Sequence, residues 1–157
     1  MATRAQIWRI DPRNGNGTTA YCDISVKNDL LALTNYSDGT ELYKVGPSEF
    51  LRSLKQAAKR SGKNLALQAV FVHDGRAIAC ASVKGEVTIY DTDSGESLQV
   101  LEHQKGDFLV LVTAHEYPDK KLLATASIDL AARPEPLTVC ALSKRLSESV
   151  LGSIQDK

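Results

Sequence analysis

Residues that can support nucleophilic catalysis lie in the middle of the chain. A histidine beside a carboxylate, His73-Asp74, precedes Cys80 and Ser82, and His103 follows them. A nucleophilic serine or cysteine needs a base within hydrogen-bond reach and a carboxylate that orients the base. These residue types therefore define one candidate site for a hydrolase-like enzyme.

The local sequence favours a structural role for the same residues. Asp74-Gly75 is typical of a hairpin turn, Cys80 lies in the middle of an apolar run, and the chain lacks the Gly-x-Ser-x-Gly sequence that exposes a nucleophilic serine. We therefore expect no catalytic residues, and a hydrolase-like domain on a β scaffold is the alternative. A pocket on which all the required groups converge would distinguish the two.

The sequence does not indicate a metal or phosphate site. His73, His103 and His115 lack the spacing of zinc ligands, and no cysteines form a CxxC pair. The segment 14–18, Asn-Gly-Asn-Gly-Thr, lacks the lysine and the strand-to-helix setting of a phosphate-binding loop. We expect the histidines in loops, a turn at 14–18, and neither a metal nor an organic cofactor.

Two further groups of side chains are expected to be structural. A run of five cations without a carboxylate predicts a solvated loop, and it has no aromatic residues on which nucleic-acid bases would stack. Four aromatic residues in strand-like segments are expected in the core. The cations are Arg52, Lys55, Lys59, Arg60 and Lys63, and the aromatic residues are Trp8, Phe50, Phe71 and Phe108.

Composition limits the classes of protein and partner. The 157 residues are enough for one ordinary domain, and 19 basic residues balance 19 acidic ones, so no net field attracts nucleic acid or an anionic membrane. No apolar run exceeds five residues, which is far short of a membrane span. Three cysteines in dissimilar contexts, and a segment 1–15 without a secretory apolar region, favour an intracellular location.

Three short apolar segments repeat along the chain and must position any site. They begin at Leu30, Ala77 and Leu122, so their starts are 47 and 45 residues apart. Each follows a β-like run with a polar turn, and each precedes a second turn and another strand. The first two units add a fourth strand after Gly46-Pro47 and Ser94-Gly95. Four-stranded antiparallel units at this spacing are typical of propeller blades.

The distribution of apolar residues within each unit agrees with this interpretation. The second strand is apolar on both faces and the fourth alternates apolar with polar residues, as strands do when they are covered on two faces or on one. We therefore expect the inner strands to lie between neighbouring blades. We also expect one inter-blade core that contains Phe71, Ile78, Val87, Ile89 and Tyr90.

The middle unit resembles one WD40 repeat. The resemblance is carried by Ala-Val-Phe-Val-His-Asp-Gly at 69–75, Ile-Ala-Cys-Ala-Ser at 78–82 and Val-Thr-Ile-Tyr-Asp-Thr-Asp-Ser-Gly at 87–95, with Tyr90-Asp91 at the Trp-Asp position of the family. It is strongest over 68–103, weaker over 18–56 and weakest beyond Asp129. The resemblance implies an all-β fold, a partial WD40-like β-propeller of four-stranded antiparallel blades.

This resemblance also implies a division of the chain. We expect one WD40-like domain with three blade-like units, an edge strand before them, and a C-terminal segment whose Leu142, Leu146, Val150 and Ile154 have the spacing of a short helix. The domain covers 1–157, the units cover about 18–56, 67–103 and 107–142, the edge strand covers 6–11 and the C-terminal segment covers 143–157.

The chain departs from the family at its characteristic hydrogen-bonded tetrad of His, Ser or Thr, Asp and Trp. Tyr43-Lys44 and Cys140 replace the Trp-Asp and Trp of the family, and the turn aspartate of the middle unit is replaced around Lys84. His103 lies near the family's Gly-His position, where it is expected within reach of Ser127. Blades without complete tetrads must depend on packing between them.

The function that the resemblance implies is a non-catalytic protein–protein interaction or scaffold module. Its expected partner is a protein or a second copy that binds at exposed turns and blade edges, rather than a membrane, a nucleic acid or a small molecule. Closed propellers use about four to eight blades, so three units form an open array. A truncated fragment without independent function is therefore a further alternative.

Overall fold

A computed structural model describes residues 9–10, 18–25, 27–36, 39–46, 49–54, 59–60, 63–64, 67–102, 108–117, 121–128 and 138–142. These residues form antiparallel strands joined by turns, with one 3-10 helix at His73–Gly75 and no α-helix. The all-β prediction is confirmed. The helix predicted over 143–157 and most of the edge strand predicted over 6–11 lie outside the described residues.

The strands form three main sheets, each a meander in which consecutive strands are hydrogen-bonded neighbours. The first sheet contains β1 (Thr19–Ser25), β2 (Leu30–Asn35), β3 (Gly39–Lys44) and β4 (Phe50–Leu54). A two-residue pair follows, β5 (Lys59–Arg60) with β6 (Lys63–Asn64). The second sheet contains β7 (Ala69–Val72), β8 (Ala77–Ala81), β9 (Glu86–Asp91) and β10 (Ser97–Glu102), and the third contains β11 (Phe108–Glu116), β12 (Lys121–Ile128) and β13 (Thr138–Leu142).

The predicted strands of all three units are present, and the link after the first unit differs from its prediction. The three repeated apolar segments form β2, β8 and β12, each in second place in its sheet. The basic link was expected to be a loop, yet Lys59–Arg60 pairs with Lys63–Asn64. Ser61-Gly62 separates the two pairs in sequence, and two-residue connections with glycine are typical of tight hairpins.

In the first two sheets, burial decreases from the second strand to the fourth. Every residue of β8 is at most 1% exposed, whereas β4 and β10 each have one buried residue among exposed and half-buried ones. The second sheet is therefore covered on both faces, by the first sheet on one side and by the third on the other. The covered strand is rich in alanine, so the neighbouring sheets can approach it closely.

The prediction of a single inter-blade core is wrong, because the second sheet has a separate core on each face. Val87 and Ile89 pack towards the third sheet with Val112 and Leu123. The other core, towards the first sheet, contains Ile78, Phe71 and Tyr90 with Ala32, Leu42 and Leu54. Successive residues of a strand point to opposite faces, so the side chains of β8 and β9 divide between the two cores.

The first strands of the sheets lie side by side. β7 contacts β1 and β11. Side chains reach between these strands and accept hydrogen bonds from backbone N–H groups. The Phe71 N–H donates to Asp23 Oδ2 at 2.7 Å, and the Val112 N–H donates to Gln68 Oε1 at 3.3 Å. These bonds satisfy donors at sheet edges, which would otherwise be available for pairing with another strand.

The aromatic residues expected in the core have different outcomes. Phe71 is half-buried between the first two sheets, and Phe50 packs edge-on against Tyr43 with ring centroids 5.7 Å apart. Trp8 and the side chain of Phe108 lie outside the described part of the chain. None of the described residues forms a helix with the length and apolar character needed to cross a bilayer.

The two-sided burial of the second sheet predicts the effect of a cavity. Ile89 is fully buried, so Ile89→Ala should lower the free energy of unfolding by about 2–4 kcal/mol, the usual cost of a large-to-small core change. Val100→Ala, at a residue 48% exposed on β10, should cost less than about 1 kcal/mol. Urea unfolding measures both. Equal costs would contradict the assigned faces of the sheet.

Candidate functional site

The candidate catalytic pair His73-Asp74 lies in the β7–β8 turn, at the end where the three sheets carry several of their hairpin turns. We call residues 73–76 the central turn and this end of the molecule the hairpin end. The turn begins after Val72 and ends before Ala77, which pair across the hairpin. Side chains from all three sheets meet at it.

The backbone of the central turn is left-handed over three successive residues. The φ angles are 55° at His73, 57° at Asp74 and 86° at Gly75. Glycine adopts this conformation without a steric penalty, whereas other residues have a cost of about 1–3 kcal/mol each. The turn must therefore be held by its surroundings.

The first sheet binds the central turn through the β1–β2 connection. The Lys27 ammonium lies 2.6 Å from Asp74 Oδ1, and Asn28 Nδ2 donates to the Asp74 carbonyl oxygen at 2.9 Å. This ion pair lowers the pKa of the Asp74 carboxyl, chiefly through the hydrogen bond from Lys27. The carboxylate that would orient a catalytic histidine is thus engaged by lysine, and both partners are largely exposed.

The third sheet binds the other side of the turn. The His73 backbone N–H donates to Glu116 Oε1, and Lys121 Nζ lies 2.8 Å from His73 Nδ1. Glu116 Oε2 and Lys121 Nζ are themselves 3.2 Å apart. An ammonium group is only a donor, so His73 Nδ1 accepts and the neutral ring carries its proton on Nε2.

His73 is fully buried, and its Nε2 has no hydrogen-bond partner among the described residues. Burial and the Lys121 ammonium both lower the pKa of the imidazole below its ordinary value. Protonation of this ring would place a positive charge in a buried position beside the Lys121 ammonium. The arrangement therefore favours a neutral, structural histidine over a base that gains a proton during catalysis.

The second sheet itself also binds the central turn. The Thr92 hydroxyl lies 3.0 Å from the Gly75 carbonyl oxygen and 2.9 Å from that of Arg76, and the Thr92 N–H donates to the Arg76 oxygen at 3.0 Å. Thr92 is buried. The β9–β10 turn thus fixes the end of the central turn.

The other candidate nucleophiles are far from His73 or engaged elsewhere. Ser82 lies at the opposite end of β8, which spans about 3.3 Å per residue, and its hydroxyl accepts the Lys84 N–H at 3.1 Å. Cys80 is buried between the first two sheets, with Sγ 3.9 Å from Thr40 Oγ1. The structure does not bring His73, Cys80 and Ser82 together, and His103 lies outside the described residues.

The remaining sequence candidates do not join the central turn. His115, which was expected in a loop, lies in β11, where it is exposed and packs edge-on against Tyr117 with ring centroids 4.5 Å apart. No cluster of three metal-ligating side chains occurs in the described part of the chain. Arg52 lies against Gly95, while the other side chains of the basic run and almost all of 14–18 lie outside the described residues.

Sequence reasoning identified His73 and Asp74 but missed the residues that hold them. Lys27 and Asn28 precede Asp74 by 47 and 46 residues, and Glu116 and Lys121 follow His73 by 43 and 48. These separations are close to the 45–47-residue repeat. The repeat was a signal that such partners exist, although it did not identify their side chains.

Comparison with known proteins does not assign the chain to a family. No protein-family model matches the sequence, and a search of curated proteins gives no match.

The close packing of the central turn predicts a large effect at Gly75. A Cβ there would overlap the Ser25 hydroxyl in a left-handed backbone, whereas Gly46, with φ 99°, has nothing near its added Cβ. Gly46→Ala should therefore destabilise the protein only by backbone strain, about 1–2 kcal/mol. Gly75→Ala should have that cost and about 2 kcal/mol more. Thermal and urea unfolding of both variants measures these losses of stability. Equal losses in Gly46→Ala and Gly75→Ala would contradict the close packing at Gly75.

The buried His73 predicts a loss of stability at mildly acidic pH. The unfolded chain gains a proton near the ordinary histidine pKa of 6.5 while the folded chain resists it, so stability is greatest above that pH and decreases below it. Between pH 7 and pH 5 we expect a loss of about 1 kcal/mol, or about 2–4 °C in Tm. The ion pair of Asp74 adds a further loss of stability at lower pH, below the ordinary aspartate pKa of 3.8, where its carboxylate gains a proton.

The control variants for this pH effect come from the two described histidines. His73→Asn keeps a residue that tolerates left-handed backbone and should flatten the change in Tm between pH 7 and pH 5. His115→Asn removes an exposed ring and should leave the change intact. The same pH dependence in wild type and His73→Asn would show that other groups cause it.

Proposed function

We propose that the protein is a non-catalytic interaction module of the WD40-like propeller type, and that the outer face of its third sheet binds a second copy of the chain. The observation that carries this proposal is an apolar sheet face with incomplete cover. We call it the open face. Its described residues point away from the second sheet; they are Leu111, Thr113, His115, Leu122, Ala124 and Ala126, of which Ala126 is buried.

The two faces of the third sheet differ in burial. Val112 and Leu123 are buried against the second sheet, whereas Leu111, one residue away, is 38% exposed. Leu122 and Ala124 on the open face are half-buried. A strand that is apolar on both faces is suited to cover on both, as β8 has. Among the described residues, no further sheet covers the open face, and the third sheet therefore resembles an inner layer of a stack.

The outer face of the first sheet differs from the open face, because it contains a buried carboxylate. Leu31, Glu41 and Tyr43 point away from the second sheet and are buried, and the Tyr43 hydroxyl donates to Glu41 Oε2 at 2.8 Å, whereas Ile24, which pairs with Leu31 on this face, is 53% exposed. A head-to-tail array of copies would pair two different faces, whereas we propose that the open face packs on the same face of a second copy, which gives a closed two-fold dimer.

Leu111→Gln tests this function. The side chain is already partly exposed, so the change should leave monomer stability within about 0.5 kcal/mol but weaken self-association about tenfold, because it places an amide in the centre of an apolar contact. Sedimentation velocity over a range of protein concentrations measures the dimer. Val100→Gln, on β10, is the matched control and should leave dimerisation unchanged.

The outcomes separate the alternatives. A dimer that Leu111→Gln weakens and Val100→Gln does not supports the proposal. A wild-type chain that is monomeric at all concentrations, with a sharp unfolding transition, contradicts it. Open-ended assembly into larger species would also contradict it, because one self-complementary face closes at two copies.

A further inference from the structure

A groove opens between the first and second sheets at the hairpin end, on the side of the central turn away from His73. Its volume is about 290 Å³, enough for one or two side chains of a ligand but small for a drug-sized molecule. The first sheet contributes Asn28, Leu30, Lys44 and Leu51, and the second contributes Arg76, Thr92 and Asp93. None of these residues belongs to the open face.

Two cations in the groove form no ion pair with the described residues. Lys44 is exposed at the end of β3 and Arg76 is half-buried in the central turn, and neither forms a salt bridge within that part of the chain. The nearby Asp74 carboxylate is engaged by Lys27 instead. The two cations thus retain their capacity to bind an anionic group that enters the groove.

The groove also has apolar and neutral polar surface. Leu30 is buried, while Leu51 is 37% exposed. The Asn28 amide nitrogen donates to the Asp74 carbonyl oxygen, and this bond fixes the Asn28 side chain. The Thr92 side chain is fixed by its hydrogen bonds to the central turn. An aliphatic side chain of a ligand would cover Leu51, and the rigid polar walls would limit rearrangement on binding.

We propose that this groove binds an acidic peptide segment in which one carboxylate lies next to an aliphatic side chain. The carboxylate would lie between Lys44 and Arg76, and the aliphatic group would pack on Leu51. Asp93 offsets one of the two cations, so the net charge of the lining is positive by a single charge. A segment with one carboxylate in the groove therefore fits better than a segment with several. The site is separate from the open face and does not depend on dimerisation.

A titration by ¹⁵N NMR with a short capped peptide, Gly-Leu-Glu-Leu-Gly, tests the proposal in the full chain. Saturable shifts at the groove residues are expected, and the peptide with glutamine in place of glutamate should bind about tenfold more weakly. Binding of the glutamate peptide should weaken at high salt, because salt screens the attraction between partly exposed charges. Shifts that map elsewhere, or equal binding of the two peptides, would overturn the assignment.

Variants of the chain provide the second measurement. Lys44→Gln with Arg76→Gln should weaken peptide binding about tenfold or more, whereas Lys84→Gln, exposed at the opposite end of the second sheet, should stay within about twofold. Asp93→Asn should tighten binding about threefold, since it removes a repelling charge from the wall. A gain of affinity cannot arise from misfolding. Unchanged binding in the double variant, or weaker binding in Asp93→Asn, would overturn the proposal.

Discussion

The second sheet is covered on both faces, and the small side chains of β8 make this cover possible. Ala77, Ala79 and Ala81 pack towards the third sheet, while Ile78 and Cys80 pack towards the first. Removal of apolar surface from water is the main favourable term in folding, and this strand is the one that both interfaces share. A larger residue in place of these alanines would separate the sheets, so the position of the first and third sheets depends on β8.

Apolar packing brings the sheets together but does not by itself fix how they are turned relative to one another, and the central turn supplies this directional constraint. The ion pairs and hydrogen bonds of the central turn differ in how much they contribute to the free energy of unfolding. The exposed pair Lys27–Asp74 contributes at most about 1 kcal/mol, because water competes for both charges. Glu116 and Lys121 are less exposed and bind the buried His73, so their bonds contribute more and offset the strain of the left-handed backbone. Loss of one of these partners would leave a buried backbone donor or ring nitrogen unsatisfied.

The sequence predicts the strands because their signals are local. Alternation, turn residues and the repeat place β1–β4 and β7–β13 without knowledge of tertiary structure, but the division of Val87 and Ile78 between two cores requires the register of β8 with β9. The central turn was predictable as Asp74-Gly75, yet its role was not, because Lys27, Glu116 and Lys121 reach it across whole repeats. The groove likewise needs Lys44 and Arg76 to meet from two sheets. Neither residue has a local pattern that indicates a shared site.

The bonds at the inner strands bear on the proposed association through the open face, because they oppose pairing at two of the strand edges. An edge strand pairs with a new strand only if its N–H and C=O groups are free. On β7 the Phe71 N–H is bound by Asp23, and on β11 the Val112 N–H is bound by Gln68, so an added strand would have to displace bonds already formed. The proposed contact at the open face would instead remove Leu111, which is 38% exposed, from water. Because the chain has a pI near 6.8, little net charge opposes that contact at neutral pH.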